Sequence, residues 1–251
     1  MDGSAEKAPP RAELRFPTRA SLTFGLPPSS ADLDGTLYAI ENGYEAACRD
    51  RVFDFMVSRL GVASRDAARE MWWPHFQKYN QTLRSLRAGL GFDFDKEDYW
   101  SYTRGDPREC LRANPDALAV LRTCDRRLRK YVLTNCAEKQ AREALSALGL
   151  DGEFDGVFGA DAMGDVCKPE RAAFEKITTT AGIDPKTTAF FEDSVKNLAA
   201  AAELGMTTVL IRSHTAAEEG ARTDGFAPDH TIEAVTEAEV RRILPGLWDR
   251  A

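Results

Sequence analysis

Histidine is scarce in this chain. There are three in 251 residues, none near another, which argues against a zinc centre. The five cysteines, Cys48, Cys110, Cys124, Cys136 and Cys167, are odd in number and scattered, and no CxxC pair occurs. They argue against a disulfide framework and read as the reduced thiols of an intracellular, cytoplasmic protein. No apolar run approaches the roughly 18–20 residues of a membrane span, and the N-terminus lacks the apolar stretch of a secretory signal. Positive charge is in deficit: 33 Lys and Arg face 40 Asp and Glu, a net charge of −7. Such a surface is expected to bind neither nucleic acid nor an anionic membrane. It leaves room for a locally positive site that takes a small phosphorylated metabolite. No internal repeat is visible.

What is present suits a globular protein. With 43% hydrophobic residues, 251 positions make one large domain or two small ones. Residues 1–30 are rich in Pro, Ser, Ala and Arg and read as a tail, disordered or organelle-targeting, with Asp2, Glu6 and Glu13 weighing against targeting. Residues 42–61 have the pattern of an amphipathic helix closed by Gly61, and 64–88 continue it, with Pro74 expected to kink or divide the helix. The texture changes at Asn114-Pro115. From there, helices over 116–129, 137–148, 170–182 and 195–204 alternate with strand-like runs at 131–135, 154–160, 188–193 and 206–211. That alternation predicts an α/β fold, a Rossmann-like doubly wound parallel sheet. The core is expected over 31–41 and 114–251, interrupted by an inserted α-helical cap over 42–113.

Polar residues stand where four of these segments end. They are Asp32-Leu33-Asp34-Gly35-Thr36, Thr134-Asn135, the loop Asp165-Val166-Cys167-Lys168-Pro169, and Glu192-Asp193-Ser194. Singly, each has an ordinary structural explanation: a turn, a helix cap, a helix start, a charge pair at a helix N-terminus. Jointly, at one edge of one sheet, they make a phosphate site. Clustered carboxylates at Asp32, Glu192 and Asp193 call for a hard cation, and Mg²⁺ takes one or two carboxylates, waters and phosphate oxygens. The Thr134 hydroxyl, with Asn135 beside it, and the Lys168 ammonium suit phosphate oxygens. A carboxylate can attack phosphorus, and Asp34 can protonate the leaving alkoxide and then activate water.

The set DLDGTLY, VLTN, CKP and FFEDS resembles the haloacid dehalogenase-like (HAD) superfamily over about residues 31–212. The resemblance implies a Mg²⁺-dependent phosphoric monoester hydrolase. Asp32 is then the nucleophile and Asp34 the acid/base, with Thr134, Asn135 and Lys168 on the phosphate. Asp32, Glu192, Asp193 and the Asp34 main-chain carbonyl then form the metal site. The superfamily's dehalogenases lack the second aspartate, so Asp34 favours phosphate chemistry. The runs 79–102, 166–177 and 190–211 are similar to the pyrimidine 5′-nucleotidase-like enzymes of plants and fungi, which implies UMP or CMP as substrate. A phosphatase for a sugar phosphate or phosphoglycolate stays open. So does a catalytically silent HAD-like binder. Tyr79, Asn80 and Arg84 are candidate substrate contacts in the cap. Trp72, Trp73 and Phe76 read as cap core more than as a base-stacking platform. Asn197, one helical turn past Asp193, either orients the acidic loop or faces solvent.

One more thing is missing. A nucleophile at the end of a central, doubly buried strand should follow four or five apolar residues. Here Pro27, Pro28, Ser29, Ser30 and Ala31 precede Asp32, and the apolar stretch SLTFGL (21–26) lies further upstream. Either Ser29–Leu33 form a short, weakly anchored strand, or the N-terminal sequence comes from a mis-assigned splice junction, or turnover has been lost.

Overall fold

The computed structural model describes residues 29–213 and 225–248. Strand β1 (Ser29–Ala31) opens the fold, starting inside the segment read as a tail. Helices follow: α1 (Tyr44–Leu60), α2 (Arg65–Tyr79), α3 (Thr82–Arg84), which runs into a π-helical turn at Ser85–Gly89, and α4 (Lys96–Arg104). Then come α5 (Pro115–Thr123), β2 (Lys130–Leu133), α6 (Glu138–Ala147), β3 (Gly156–Phe158), α7 (Ala160–Met163), α8 (Arg171–Ala181), β4 (Ala189–Glu192), α9 (Val195–Glu203) and β5 (Thr207–Ile211). A last strand, β6 (His230–Ile232), a helix, Glu237–Ile243, and a 3-10 turn, Pro245–Trp248, complete the described chain; the sequence reading had not placed them.

The six strands form one sheet in the order β3-β2-β1-β4-β5-β6, every neighbouring pair parallel. This is the α/β, Rossmann-like architecture expected. The strands between helices follow the sequence expectation closely. Helix α5 stops about six residues earlier than the pattern suggested, because Asp125 to Lys130 turn into β2 instead. Pro74 lies inside α2 without dividing it.

The poor first strand does form, and it sits at the centre. Ser30 pairs with Tyr131 on one side and Phe190 on the other, and the Asp32 N–H donates to the Phe191 carbonyl at 2.9 Å. The apolar mass is supplied by its neighbours, since all four residues of β4 are buried. The small side chains of Ser30 and Ala31 leave a trace: they border an apolar cavity of about 40 Å³, with Val120, Phe191, Val240 and Leu247. SLTFGL and the two prolines lie outside the described residues.

The inserted helices share a core with one face of the sheet, in which Phe53, Phe55, Met56, Trp72, Leu86 and Tyr99 join Val132, Ala141 and Leu145. Caps fix the helix starts: Ser64 for α2, Asp95 for α4 and Asn114 for α5. Asn114 also donates its side-chain N–H to the Leu37 carbonyl at 2.9 Å, tying the return from the insert to the turn after β1. Among the described residues, no helix is long and apolar enough to cross a membrane.

Candidate active site

Parallel strands end at the same edge, and ligands of open α/β sheets bind there. Asp32 follows β1, Thr134 follows β2, Glu192 ends β4 and Asp193 starts the turn into α9. Lys168 reaches in from the loop before α8. Its ammonium lies 2.9 Å from Asp32 Oδ1 and 2.7 Å from Glu192 Oε2. Lys168 is 1% exposed, so an unpaired charge there would be very costly, and the two carboxylates balance it. The Asp32 contact is an ion pair outside hydrogen-bond geometry, and Asp32 Oδ1 has no hydrogen-bond donor of its own.

Glu192 is committed to its surroundings. Oε1 accepts from the Ser194 N–H at 3.2 Å, and Oε2 accepts from Asn197 Nδ2 at 3.0 Å as well as from Lys168. Asn197 is buried, so of its two readings the structure places it on the acidic loop. Burial pushes Glu192 up to about 7, with Asp193 adding to the rise and Lys168 opposing it. Burial and then Glu192 likewise raise Asp32 well above the usual carboxylate range. Burial pulls the Lys168 ammonium down, but Asp32 and Glu192 outweigh it and hold it above its ordinary value.

Oxygen atoms of Asp32, Glu192 and Asp193 lie within 4.8 Å of one another. Two of the three, Asp32 and Glu192, share the Lys168 ammonium. The donor set is all oxygen, the set a hard divalent cation prefers. Asp193 reaches the cluster past Gly35, whose φ is +73°. A Cβ at that position would lie 2.6 Å from Asp193 Cγ. The residues present therefore fit Mg²⁺.

Asp34 points to the other side of the turn. Arg104 grips it with Nη2 at 2.8 Å from Oδ1 and Nη1 at 3.2 Å from Oδ2, and the Tyr38 hydroxyl donates to Oδ1 at 2.5 Å. Burial would raise the Asp34 carboxyl, but Arg104 and then Tyr38 more than offset it and hold it below the ordinary value. Sequence reasoning had missed Arg104, Tyr38 and Glu45. Arg104 is one arginine among many at a helix end, and only the packing of α4 against α1 brings it to the turn after β1.

Thr134 is fully buried, its Oγ1 accepting from the Cys136 N–H at 3.2 Å. Asn135 spends its amide on Lys168: Oδ1 accepts from the Lys168 N–H and Nδ2 donates to the Lys168 carbonyl. Cys136 and Cys167 are buried thiols, pushed up by burial to about 12 and about 11. The three cap candidates part company. Asn80 lines a cavity with Asp34. Tyr79 donates its hydroxyl to the Ala88 carbonyl, and Arg84 pairs with Glu170 and the Cys167 sulfur. The structure does not bring Tyr79 or Arg84 to the site.

That cavity, about 1040 Å³, runs from Asp34, Asn135 and Arg104 into the inserted helices, between Phe53, Trp72, Phe76 and Trp100. Trp72 is buried and stacks on Phe76 at 4.7 Å, whereas Trp73 is 45% exposed at the edge. Asp32 and Lys168 do not line the cavity.

The family model for haloacid dehalogenase-like hydrolases matches residues 31–205, about two thirds of the chain. The chain belongs to this family. Solved HAD structures share its fold. A HAD phosphatase from Thermococcus onnurineus is 23% identical, with a TM-score of 0.60, over 89% of this chain and 100% of that one. An L-2-haloacid dehalogenase from Xanthobacter autotrophicus is 19% identical, with a TM-score of 0.55, over 88% and 100%. YfnB from Bacillus subtilis, described as a HAD-hydrolase and bound to magnesium, is 16% identical, with a TM-score of 0.57, over 87% and 98%. At these identities the likeness concerns the HAD fold, and phosphatases and dehalogenases share it.

Proposed function

We propose that this HAD-like hydrolase is a Mg²⁺-dependent phosphatase of small phosphorylated metabolites, with nucleoside 5′-monophosphates such as UMP and CMP foremost. The supporting observation is the Asp32–Lys168 pair at 2.9 Å, with a second carboxylate, Asp34, facing the cavity of the insert two residues on. Asp32 attacks phosphorus, the ester P–O bond breaks, and the leaving oxygen takes the proton from the protonated form of Asp34, the minor form while Arg104 and Tyr38 hold its carboxyl below the ordinary value. Water then attacks the phosphorus of the aspartyl phosphate and gives a proton to Asp34. The P–O bond to Asp32 breaks and inorganic phosphate leaves. Lys168 and the Thr134 hydroxyl hold phosphate oxygens, and Asn135 supports Lys168 from behind. Mg²⁺, held by Asp32, Asp193 and the Asp34 main-chain carbonyl beside Glu192, supplies positive charge toward the phosphate oxygens. The aromatic cavity suits a heterocyclic leaving group, with the Asn80 and Thr82 side chains as polar partners.

A carbon–halogen hydrolase would not need the second aspartate, and Asp34 is therefore the residue that favours phosphate over halide chemistry. The test is a release assay. UMP, CMP, AMP, phosphoglycolate, a hexose phosphate and an aryl phosphate are offered with Mg²⁺ or with EDTA, and 2-chloropropionate is offered for halide. Phosphate release that needs Mg²⁺ and is lost in Asp32→Asn is expected, UMP and CMP leading. Halide release without phosphate release, or nucleotide binding without turnover, would overturn the reading.

A further inference from the structure

Arg104 belongs to the insert, yet its guanidinium ends on Asp34, in the turn after β1. It is the last residue of α4, 6% exposed, and is fixed at both ends. Its carbonyl accepts from the Tyr44 hydroxyl at 3.1 Å, and its guanidinium lies 4.8 Å from the centre of the Tyr44 ring. Nε is buried without an acceptor, so the fork is aimed at Asp34 rather than at an arrangement that satisfies all its donors.

The lone pairs of Asp34 can be counted. A carboxylate offers about four acceptor sites. Oδ1 takes Tyr38 at 2.5 Å and Arg104 Nη2 at 2.8 Å, and Oδ2 takes Arg104 Nη1 at 3.2 Å. One site remains, on Oδ2. Tyr38 also lies 2.9 Å from Glu45 Oε1 on α1, so a second insert residue stands behind the same carboxylate. The other hydrogen bonds between insert and core near the site, such as Gln81 to the Asn135 carbonyl at 2.7 Å, do not touch Asp34.

We infer that Arg104 is a positioning residue. It fixes the Asp34 carboxylate with Oδ2 as the oxygen open to proton exchange, so Asp34 is set only when the insert is seated on the core. Seating the insert and completing the acid/base group are then one event. The catalytic half of this inference rests on the phosphatase reading, and the coupling between insert and turn does not.

Two measurements test it. With 2,4-dinitrophenyl phosphate the leaving group needs no proton, so phosphorylation of Asp32 proceeds without Asp34, while hydrolysis of the aspartyl phosphate still requires it. Arg104→Ala should release about one equivalent of dinitrophenolate at the wild-type rate. It should then turn over roughly 10- to 100-fold more slowly, with phosphoenzyme accumulating. Arg104→Lys, which keeps the charge and loses the fork, should fall between. A wild-type steady rate, or burst and steady rate falling together, would overturn the positioning role.

Hydrogen exchange reads the coupling without turnover. Arg104→Ala and Asp34→Asn should each raise exchange both in 33–40 and in 98–105, because the pair joins those segments. If each variant perturbs only its own segment, the coupling is wrong. Should Arg104→Ala fail to fold, Arg104→Lys and Asp34→Asn carry both arms. A wild type that releases no phosphate removes the phosphatase reading, and the exchange experiment still decides the coupling.

Discussion

Asn135 clamps the main chain of Lys168 from both sides, its Oδ1 2.9 Å from the Lys168 nitrogen and its Nδ2 3.0 Å from the Lys168 carbonyl oxygen. A single side chain therefore fixes the backbone that aims the ammonium at Asp32 and Glu192. Asn135→Ala should leave the fold intact and lower kcat by roughly 10- to 100-fold, the cost of a misplaced catalytic group. Lys168→Ala should cost more. Steady-state kinetics on the best substrate, with circular dichroism as the fold control, checks the order of the two.

Gly35 is the second such device. It takes a φ of +73° and gives Asp193 room that a methyl group would fill. Gly35→Ala should destabilise the protein by about 1–2 kcal/mol, from the left-handed backbone alone. It should also raise the Mg²⁺ concentration needed for half-maximal activity, because Asp193 must move. A thermal melt and a Mg²⁺ titration separate the two effects. An unchanged titration would count against Asp193 as a metal ligand.

The weak central strand can be improved. Ala31 borders the 40 Å³ apolar cavity, and about 24 cal/mol per Å³ of cavity gives a gain on the order of 1 kcal/mol for filling it. Ala31→Val adds a β-branched side chain suited to a strand. It should raise the melting temperature by a few degrees with catalysis retained. A lowered melting temperature would mean that the cavity cannot take the added volume.

Glu192 makes stability depend on pH. Its ordinary value is 4.5 and burial lifts it to about 7 in the folded chain. Between these values the folded protein binds more protons than the unfolded one, so stability falls as pH rises through that window. Glu45, raised to about 7 by burial and Asp34, adds in the same direction. In EDTA the melting temperature should therefore decline from pH 4.5 to 7, and Glu192→Gln should flatten the slope. Mg²⁺ should restore most stability at the upper end, where the carboxylates are charged. A flat wild-type profile would contradict this account.

Much of the fold was legible because its signals are local. Strand and helix periods, glycine stops and Asn114-Pro115 are written in neighbouring residues, and they placed β2 through β5 and the longer helices α6, α8 and α9 between them, though not the short α7. Thr134, Glu192 and Asp193 were legible for the same reason: each ends or follows a recognisable strand, and parallel strands end at one edge, whereas Asp32, Asp34 and Lys168 were read from the short motifs DLDGTLY and CKP. The first strand was hard to read because its own residues do not make it. Ser29–Ala31 extend because Lys130–Leu133 and Ala189–Glu192 flank them and accept their ladder, a decision taken by residues about 100 and 160 positions away.

Sequence alone determined the chemistry that meets at the sheet edge, since residue type and strand register follow from short patterns. The tertiary structure decided which of those groups are engaged and by what. It committed Asn135 to Lys168, turned Tyr79 and Arg84 away from the cavity, and carried Arg104 across 70 residues of chain to Asp34. Long side chains reach about as far as a helix is wide, so their partners depend on how helices pack, and helix packing is set by the whole core rather than by any local run.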